Sequence, residues 1–277
     1  MGKRLEGKVA LITGGTSGIG EATVDLFVQH GAKVMIAGRN VRRGEEIAAR
    51  NGDHASFVQT DVTKEDDIKN AVEQTVSTFG KIDILFNNAG GRTMGDVEDI
   101  TPEDFHAGCD LLLGSVIFGM KHATPHMKKQ QWGRIINNAS VAGHQTDMGM
   151  YLYSGLKAAV AHMTRVAGIK LARDGITVNA VSPGATATSI FLGGSDVAEQ
   201  LGDEVTAKKM AKLRNNLSNA TPAGRPGEPL DIANAVLFLA SEEGSFVNCH
   251  DLVVDMGMIA GGRTNWAPEF QGKPPLK

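Results

Sequence analysis

The 277-residue chain is 42% hydrophobic and 21% charged, an ordinary globular composition with enough apolar mass for a large core in one α/β domain or two small ones. Lysine and arginine (28) nearly balance aspartate and glutamate (31), so the formal charge of −3 gives no basic bias toward nucleic acid. Cys109 and Cys249 make no disulfide framework and fit a reducing compartment, so a cytoplasmic location is expected.

The charged start, Met1 to Lys8, leads into an apolar run too short for a signal peptide or a membrane span, and no membrane association is expected. Lys8 to Thr13 (KVALIT) reads as a strand and Gly18 to His30 as a helix. Ala32 to Ala37 is a second strand, Val41 to Arg50 a charged amphipathic helix, and Ser56 to Thr60 a third strand. Lys64 to Phe79 is a helix with an acidic first turn that suits the helix dipole. Ile82 to Asn87 is a fourth strand. A helix region from Pro102 to Lys129, a strand at Arg134 to Ala139, a helix from Tyr151 to Ala172 and a strand at Thr177 to Val181 follow. A less regular stretch runs to Pro229, then a helix from Leu230 to Ala240 and a last strand at Asp251 to Val254. This alternation predicts a doubly wound α/β sheet of about seven parallel strands with helices on both faces. An α/β barrel would want eight regular units and more residues.

Proline and glycine clusters near 221–229 and after 257 separate no second core, so residues 1–262 are expected to form a single domain. Within it, residues 189–225 read as an amphipathic substrate lid, with Ile190, Phe191, Leu192, Val197, Leu201, Val205, Met210 and Leu213 on an apolar inner face, a pattern that ordinary helix packing explains equally well. Residues 263–277 form an extension in which Trp266 and Phe270 are set to dock on the body or on a neighbouring subunit, unless the segment is disordered.

The first turn, Thr13-Gly14-Gly15-Thr16-Ser17-Gly18-Ile19-Gly20, follows a strand and opens a helix. Glycines there let the backbone approach a pyrophosphate, which the helix N-terminus then binds. The second strand ends at Gly38-Arg39-Asn40. An acid at such a strand end would bond a ribose 2′-hydroxyl; here Gly38 leaves room and Arg39 offers a fork for a 2′-phosphate, with Arg42 and Arg43 adding positive charge. NADP(H) is therefore expected over NAD(H). Asp61 and Val62 after the third strand, and Asn88, Ala89 and Gly90 after the fourth, stand where ligands bind in such sheets.

Tyr153 and Lys157 lie four apart on a predicted helix and face the same way. An ammonium beside a phenol favours the phenolate and lowers its pKa, so the pair reads as a proton-transfer device. Ser140 stands ready to hold a substrate oxygen. His144 and Met150, between Ser140 and Tyr153, are candidate substrate contacts, and Met148 lies between them. Tyr151 is the rival acid/base, but four residues on it meets Gly155 rather than a lysine. The eight histidines show no HExxH or comparable ligand spacing, so no metal is expected.

With the glycine turn, Asn87–Gly90, Ser140, Tyr153/Lys157 and Pro183-Gly184 in this order, the sequence resembles the short-chain dehydrogenase/reductase family over about residues 5–262. The resemblance implies a Rossmann-type domain in a homotetramer or homodimer, exchanging hydride between a nicotinamide and an alcohol or ketone. It implies Tyr153 as acid/base, Lys157 tuning it and bonding the nicotinamide ribose, and Ser140 orienting the substrate. Thr188 would hold the carboxamide, with Thr186 beside it and Pro183 and Gly184 leading in. In one place the sequence departs from the family pattern: Leu112 aligns with an asparagine that supports a proton path behind the lysine. Asp110 would need a register shift to replace it, and Asn138, sharing a strand face with Ser140, is the other candidate. Leu112 is also the sole support for an alternative reading, a nucleotide-binding regulatory protein with weak or no catalysis.

Overall fold

The computed structural model describes residues 2–261, other than 147, 195, 196, 198 and 199. Strand β1 (Val9–Thr13) is followed by α1 (Gly18–Gln29), β2 (Lys33–Gly38), α2 (Val41–Asn51), β3 (Ala55–Gln59), α3 (Glu65–Phe79) and β4 (Ile84–Asn87). Next come α4 (Pro102–Cys109), α5 (Ser115–Gln130), β5 (Gly133–Asn138), α6 (Tyr151–Leu171) and β6 (Ile176–Pro183). Beyond them lie α7 (Asp203–Ser218), α8 (Pro229–Ala240), β7 (Asp251–Val254) and a single turn, α9 (Met258–Gly261).

The seven strands are all parallel, in the order β3-β2-β1-β4-β5-β6-β7. Parallel strands need covered faces, and the side chains alternate between two cores to provide them. Ala10, Ile12, Val34, Ile36, Ile84, Phe86 and Ile136 point to the face covered by α1 and α8. Leu11, Met35, Leu85, Ile135, Val178 and Ala180 point to the face covered by α3, α5 and α6. This is why KVALIT and its counterparts read as unbroken apolar runs rather than as alternating ones. The order of strands reverses between β1 and β4. A crevice opens at that switch point, at the carboxyl ends of the strands.

Local chemistry sets the element ends. Thr101 and Asp104 close a capping box on α4, with Pro102 in its first turn. Gly80, at φ 86°, ends α3 in the left-handed region.

The expected helix region from Pro102 to Lys129 is interrupted. Residues Asp110–Gly114 form a π turn between α4 and α5, in which the Ser115 N–H donates to the Asp110 carbonyl. The Ser115 hydroxyl donates to the Leu111 carbonyl at 2.7 Å. One extra residue in the turn rotates the side chains beyond it by about 100°. Leu111 then lines the crevice while Leu112 is buried.

Candidate active site

The crevice is a cleft of ≈ 1490 Å³ into which the loops after β1 to β6 all contribute. Gly14 (φ 64°) and Gly18 (φ 55°) adopt left-handed backbone in the first loop. A β-carbon on Gly14 would lie 2.9 Å from Ala89 Cα, and one on Gly20 would strike the Gly14 carbonyl. The turn is thus pressed against the β4 loop with no room for side chains. Ser17 precedes α1 in extended conformation and makes no capping bond with its side chain. The first-turn N–H groups of α1 then suit the oxygens of an anion. A nicotinamide dinucleotide fits this cradle of tight glycines, uncapped helix start and strand-end loops.

Thr16, Ser17, Ile19, Arg39, Asp61, Val62, Asn88, Ala89 and Gly90 all line the cleft, whereas Gly20 packs behind the turn. A β-carbon on Gly38 would lie 2.7 Å from Thr16 Cγ2, so an acid at position 38 is excluded while Thr16 keeps its place. Burial pushes the Asp61 carboxyl up, but hydrogen bonds from the Thr63 hydroxyl and N–H and the charges of Lys64 and Arg39 bring it below its ordinary range. The expected contribution of Arg42 and Arg43 needs correction. Arg43 bonds Glu21 and Glu46, and Arg42 bonds Glu46, so their charge is matched by carboxylates.

On the opposite wall, Ser140 ends the β5 strand region in extended backbone, and its Oγ accepts from the Ala142 N–H at 3.2 Å. Tyr153 and Lys157 lie on the first two turns of α6. Ser140, Tyr153 and Lys157 all line the cleft, as do Met150, Pro183, Gly184, Thr186 and Thr188. The Thr188 methyl lies 3.4 Å from where a Gly18 β-carbon would stand, closing the cleft across the glycine turn. Tyr151 is 56% exposed on the helix start and does not line the cleft.

The electrostatics of the pair differ from the expectation. Burial raises the Tyr153 phenol above its usual value, with the Ser140 hydrogen bond acting the other way. Lys157 is buried and pushed down to about 8 by desolvation. Its Nζ donates to the Asn138 carbonyl at 2.5 Å and stands 5.7 Å from the Tyr153 ring centroid. Burial dominates, so the phenol is raised rather than depressed as the spacing alone implied.

Two further expectations change. His144 does not reach the cleft. Its Nε2 bonds the buried Asp251 carboxylate at 2.9 Å and lies 3.3 Å from Ser182 Oγ, so the ring ties the turn after Ser140 to β6 and β7. Asn138 does not serve Lys157 through its side chain. It offers the backbone carbonyl, while its carboxamide donates to Asn88 Oδ1 at 3.0 Å. Leu112 is 1% exposed; a β-carbon on Gly90 would lie 3.4 Å from its Cδ2 and 3.9 Å from Lys157 Nζ.

Of the lid side chains, Ile190 and Phe191 line the cleft, joined by Leu217 from the end of α7. Val197 and Val205 are exposed, contrary to the predicted inner face. The stretch 263–277, with Trp266 and Phe270, lies outside the described residues. Arg92, Met94, Leu111 and Met258 also line the cleft. Sequence reading passed over them because they sit in loops, at the π turn or in the last short helix, where no period singles them out.

Comparison with known proteins decides the family. A family model described as enoyl-(acyl carrier protein) reductase matches residues 14–259. The chain belongs to the short-chain dehydrogenase/reductase family. Zerumbone synthase of Zingiber zerumbet is 39% identical over 94% of this chain and 98% of its own length. (+)-Borneol dehydrogenase 2 of Salvia officinalis is 41% identical over 93% and 91%, and xanthoxin dehydrogenase of Arabidopsis thaliana 39% identical over 92% and 90%. As a short-chain dehydrogenase/reductase it is an oxidoreductase that uses NAD or NADP. No helix among the described residues is long and apolar enough to cross a membrane, and no group of His, Cys, Asp or Glu among them is arranged to hold a metal ion.

Proposed function

We propose that the chain is an NADP(H)-preferring dehydrogenase or carbonyl reductase that interconverts a secondary alcohol and a ketone. The observation that carries this is the meeting of Ser140, Tyr153 and Lys157 in the same cleft as the glycine turn. A bound nicotinamide nucleotide supplies or accepts the hydride. In the reducing direction the Ser140 hydroxyl holds the carbonyl oxygen, and Tyr153, a protonated phenol at neutral pH, donates its proton to that oxygen. In the oxidising direction the same phenol oxygen takes the proton back. Lys157 holds positive charge beside the phenolate as it forms and bonds the ribose.

The NADP(H) preference is supported by Arg39 on the cleft wall and by Thr16 filling the place an acid at position 38 would need. Met94, Leu111, Met150, Ile190 and Phe191 make the substrate end apolar, which favours a moderately apolar substrate; one relative is named a borneol dehydrogenase. The active form is a homodimer or homotetramer, in line with the family's general habit; light scattering that returned a monomer would remove this part.

Absorbance at 340 nm over a panel of secondary alcohols and ketones, borneol included, with each cofactor in turn, tests the reading. Tyr153→Phe is expected to lower kcat by about 10²–10⁴-fold while leaving the affinity for NADPH unchanged. If Tyr151→Phe had that effect instead, the assignment of the acid/base is wrong. A KM for NAD below that for NADP would refute the cofactor preference.

A further inference from the structure

We infer that Asn138 is a positioning residue that joins the glycine turn to the catalytic lysine through the carboxamide of Asn88; this rests on the oxidoreductase reading above. Lys157 Nζ donates to the Asn138 carbonyl. The Asn138 Nδ2 donates to Asn88 Oδ1 at 3.0 Å, and Asn88 Nδ2 donates to the carbonyls of Thr13 at 2.9 Å and Gly14 at 3.2 Å. The Asn88 and Ala89 N–H groups both donate to Thr13 Oγ1, at 3.0 and 3.1 Å. An unbroken chain of hydrogen bonds thus runs from α6 across the ends of β5, β4 and β1 to the turn that would cradle the pyrophosphate.

The chain has a direction. The Thr13 and Gly14 carbonyls both take a donor, so the Asn88 amide turns its nitrogen toward the turn and its oxygen toward β5, where Asn138 donates to it. Reversed, the Asn88 oxygen would face two carbonyl oxygens. Asn138 therefore pairs the end of Asn88 that the turn leaves open.

The preceding pair joins the same two strands. Asn137 is fully buried; it accepts from Asn87 Nδ2 at 2.8 Å and donates to Thr164 Oγ1 at 3.0 Å, so both ends of its amide are paired. Strands β4 and β5 are already stapled by that contact. The Asn138 Oδ1, like that of Asn87, is buried with no partner among the described residues. An unpaired buried acceptor lowers stability, and an aliphatic side chain would avoid it. The amide at position 138 thus lowers stability, so its replacement separates a role at the site from a role in holding the fold.

The test compares the full-length wild type with Asn138→Leu, which keeps the backbone carbonyl for Lys157 and removes the link to Asn88. Three results are expected. The melting temperature holds or rises. Without cofactor, amide hydrogen exchange across residues 14–18 quickens about tenfold, and the Kd for NADPH by fluorescence weakens about tenfold, the worth of one well-placed hydrogen bond. In an Asn88→Ala background the same substitution adds less than about twofold, because the link is already broken. Asn138→Ala should repeat the loss of affinity if leucine does not fit.

Unchanged exchange and affinity would overturn the inference. So would a fall in melting temperature with the turn's exchange unaltered, or full additivity with Asn88→Ala. A wild type that binds neither NADPH nor NADH would overturn the oxidoreductase reading and this inference with it. A wild type that binds, beside a variant that binds equally well, overturns the inference alone.

Discussion

Lys157 brings an ammonium into a buried place where Asn138 supplies a carbonyl acceptor. Its pKa is lowered from 10.5 to about 8, so the folded state carries the full penalty of the buried charge below pH 8. Between about 8 and 10.5 the folded protein binds fewer protons than the unfolded chain, and stability rises with pH across that window. Lys157→Met is expected to stabilise the protein at pH 7 by about 2 kcal/mol, from about 3 kcal/mol of relieved desolvation less about 1 for the unpaired carbonyl. Urea unfolding from pH 6 to 10 measures this, and a destabilised variant would contradict it. The same titration governs turnover. Ketone reduction is expected to decline as pH rises through about 8, where Lys157 loses its charge while Tyr153 stays protonated. In Lys157→Arg the decline should move to higher pH, and a limb that stayed put would assign it to another group. The contact between Gly38 and Thr16 is open to the same kind of test. Gly38→Asp alone is expected to unsettle the turn and bind neither cofactor well. Combined with Thr16→Gly, it should favour NADH in a direct comparison of the two KM values; a single substitution that switched preference would show that Thr16 yields.

Among the elements, the π turn at Asp110–Gly114 shapes the site, because it sets Leu111 toward the cleft and buries Leu112 beside Gly90. Leu112→Asn places a polar group there. It is expected to cost about 1–3 kcal/mol if the amide finds no partner, and to raise turnover clearly if a polar path to Lys157 limits the wild type. Turnover left unchanged or lowered would show that the leucine does not limit the reaction. The sequence displayed the strands well: runs such as KVALIT in β1 are buried on both faces, and periodicity with glycine punctuation located their ends to within a residue or two. The glycine turn, Ser140 and the Tyr153/Lys157 spacing were legible as candidates because their roles depend on local spacing. The π turn was not legible, since nothing in DLLLG marks one extra residue per turn. The placing of His144 and Asn138 was not legible either. Their partners, Asp251 and Asn88, lie far away in sequence and become neighbours only through strand order.

For the molecule as a whole, the sheet covered on both faces is the main source of stability. Phe86 is fully buried at the centre of β4, and Phe86→Ala is expected to lose about 3–5 kcal/mol through transfer and cavity terms. Chemical unfolding reads this directly, and a loss under about 1 kcal/mol would mean the core collapses around the gap. The strand order also governs when a ligand can assist folding. Gly18 and Thr188 face each other across the cleft, and the segment carrying Thr188 is held in turn by the Gly184 N–H bonding to Val254 on β7. A chain emerging from the ribosome completes its glycine turn early, but the facing wall is not braced until β7 is made. Nucleotide in the cell can therefore rescue a weakened variant only once β7 has been made.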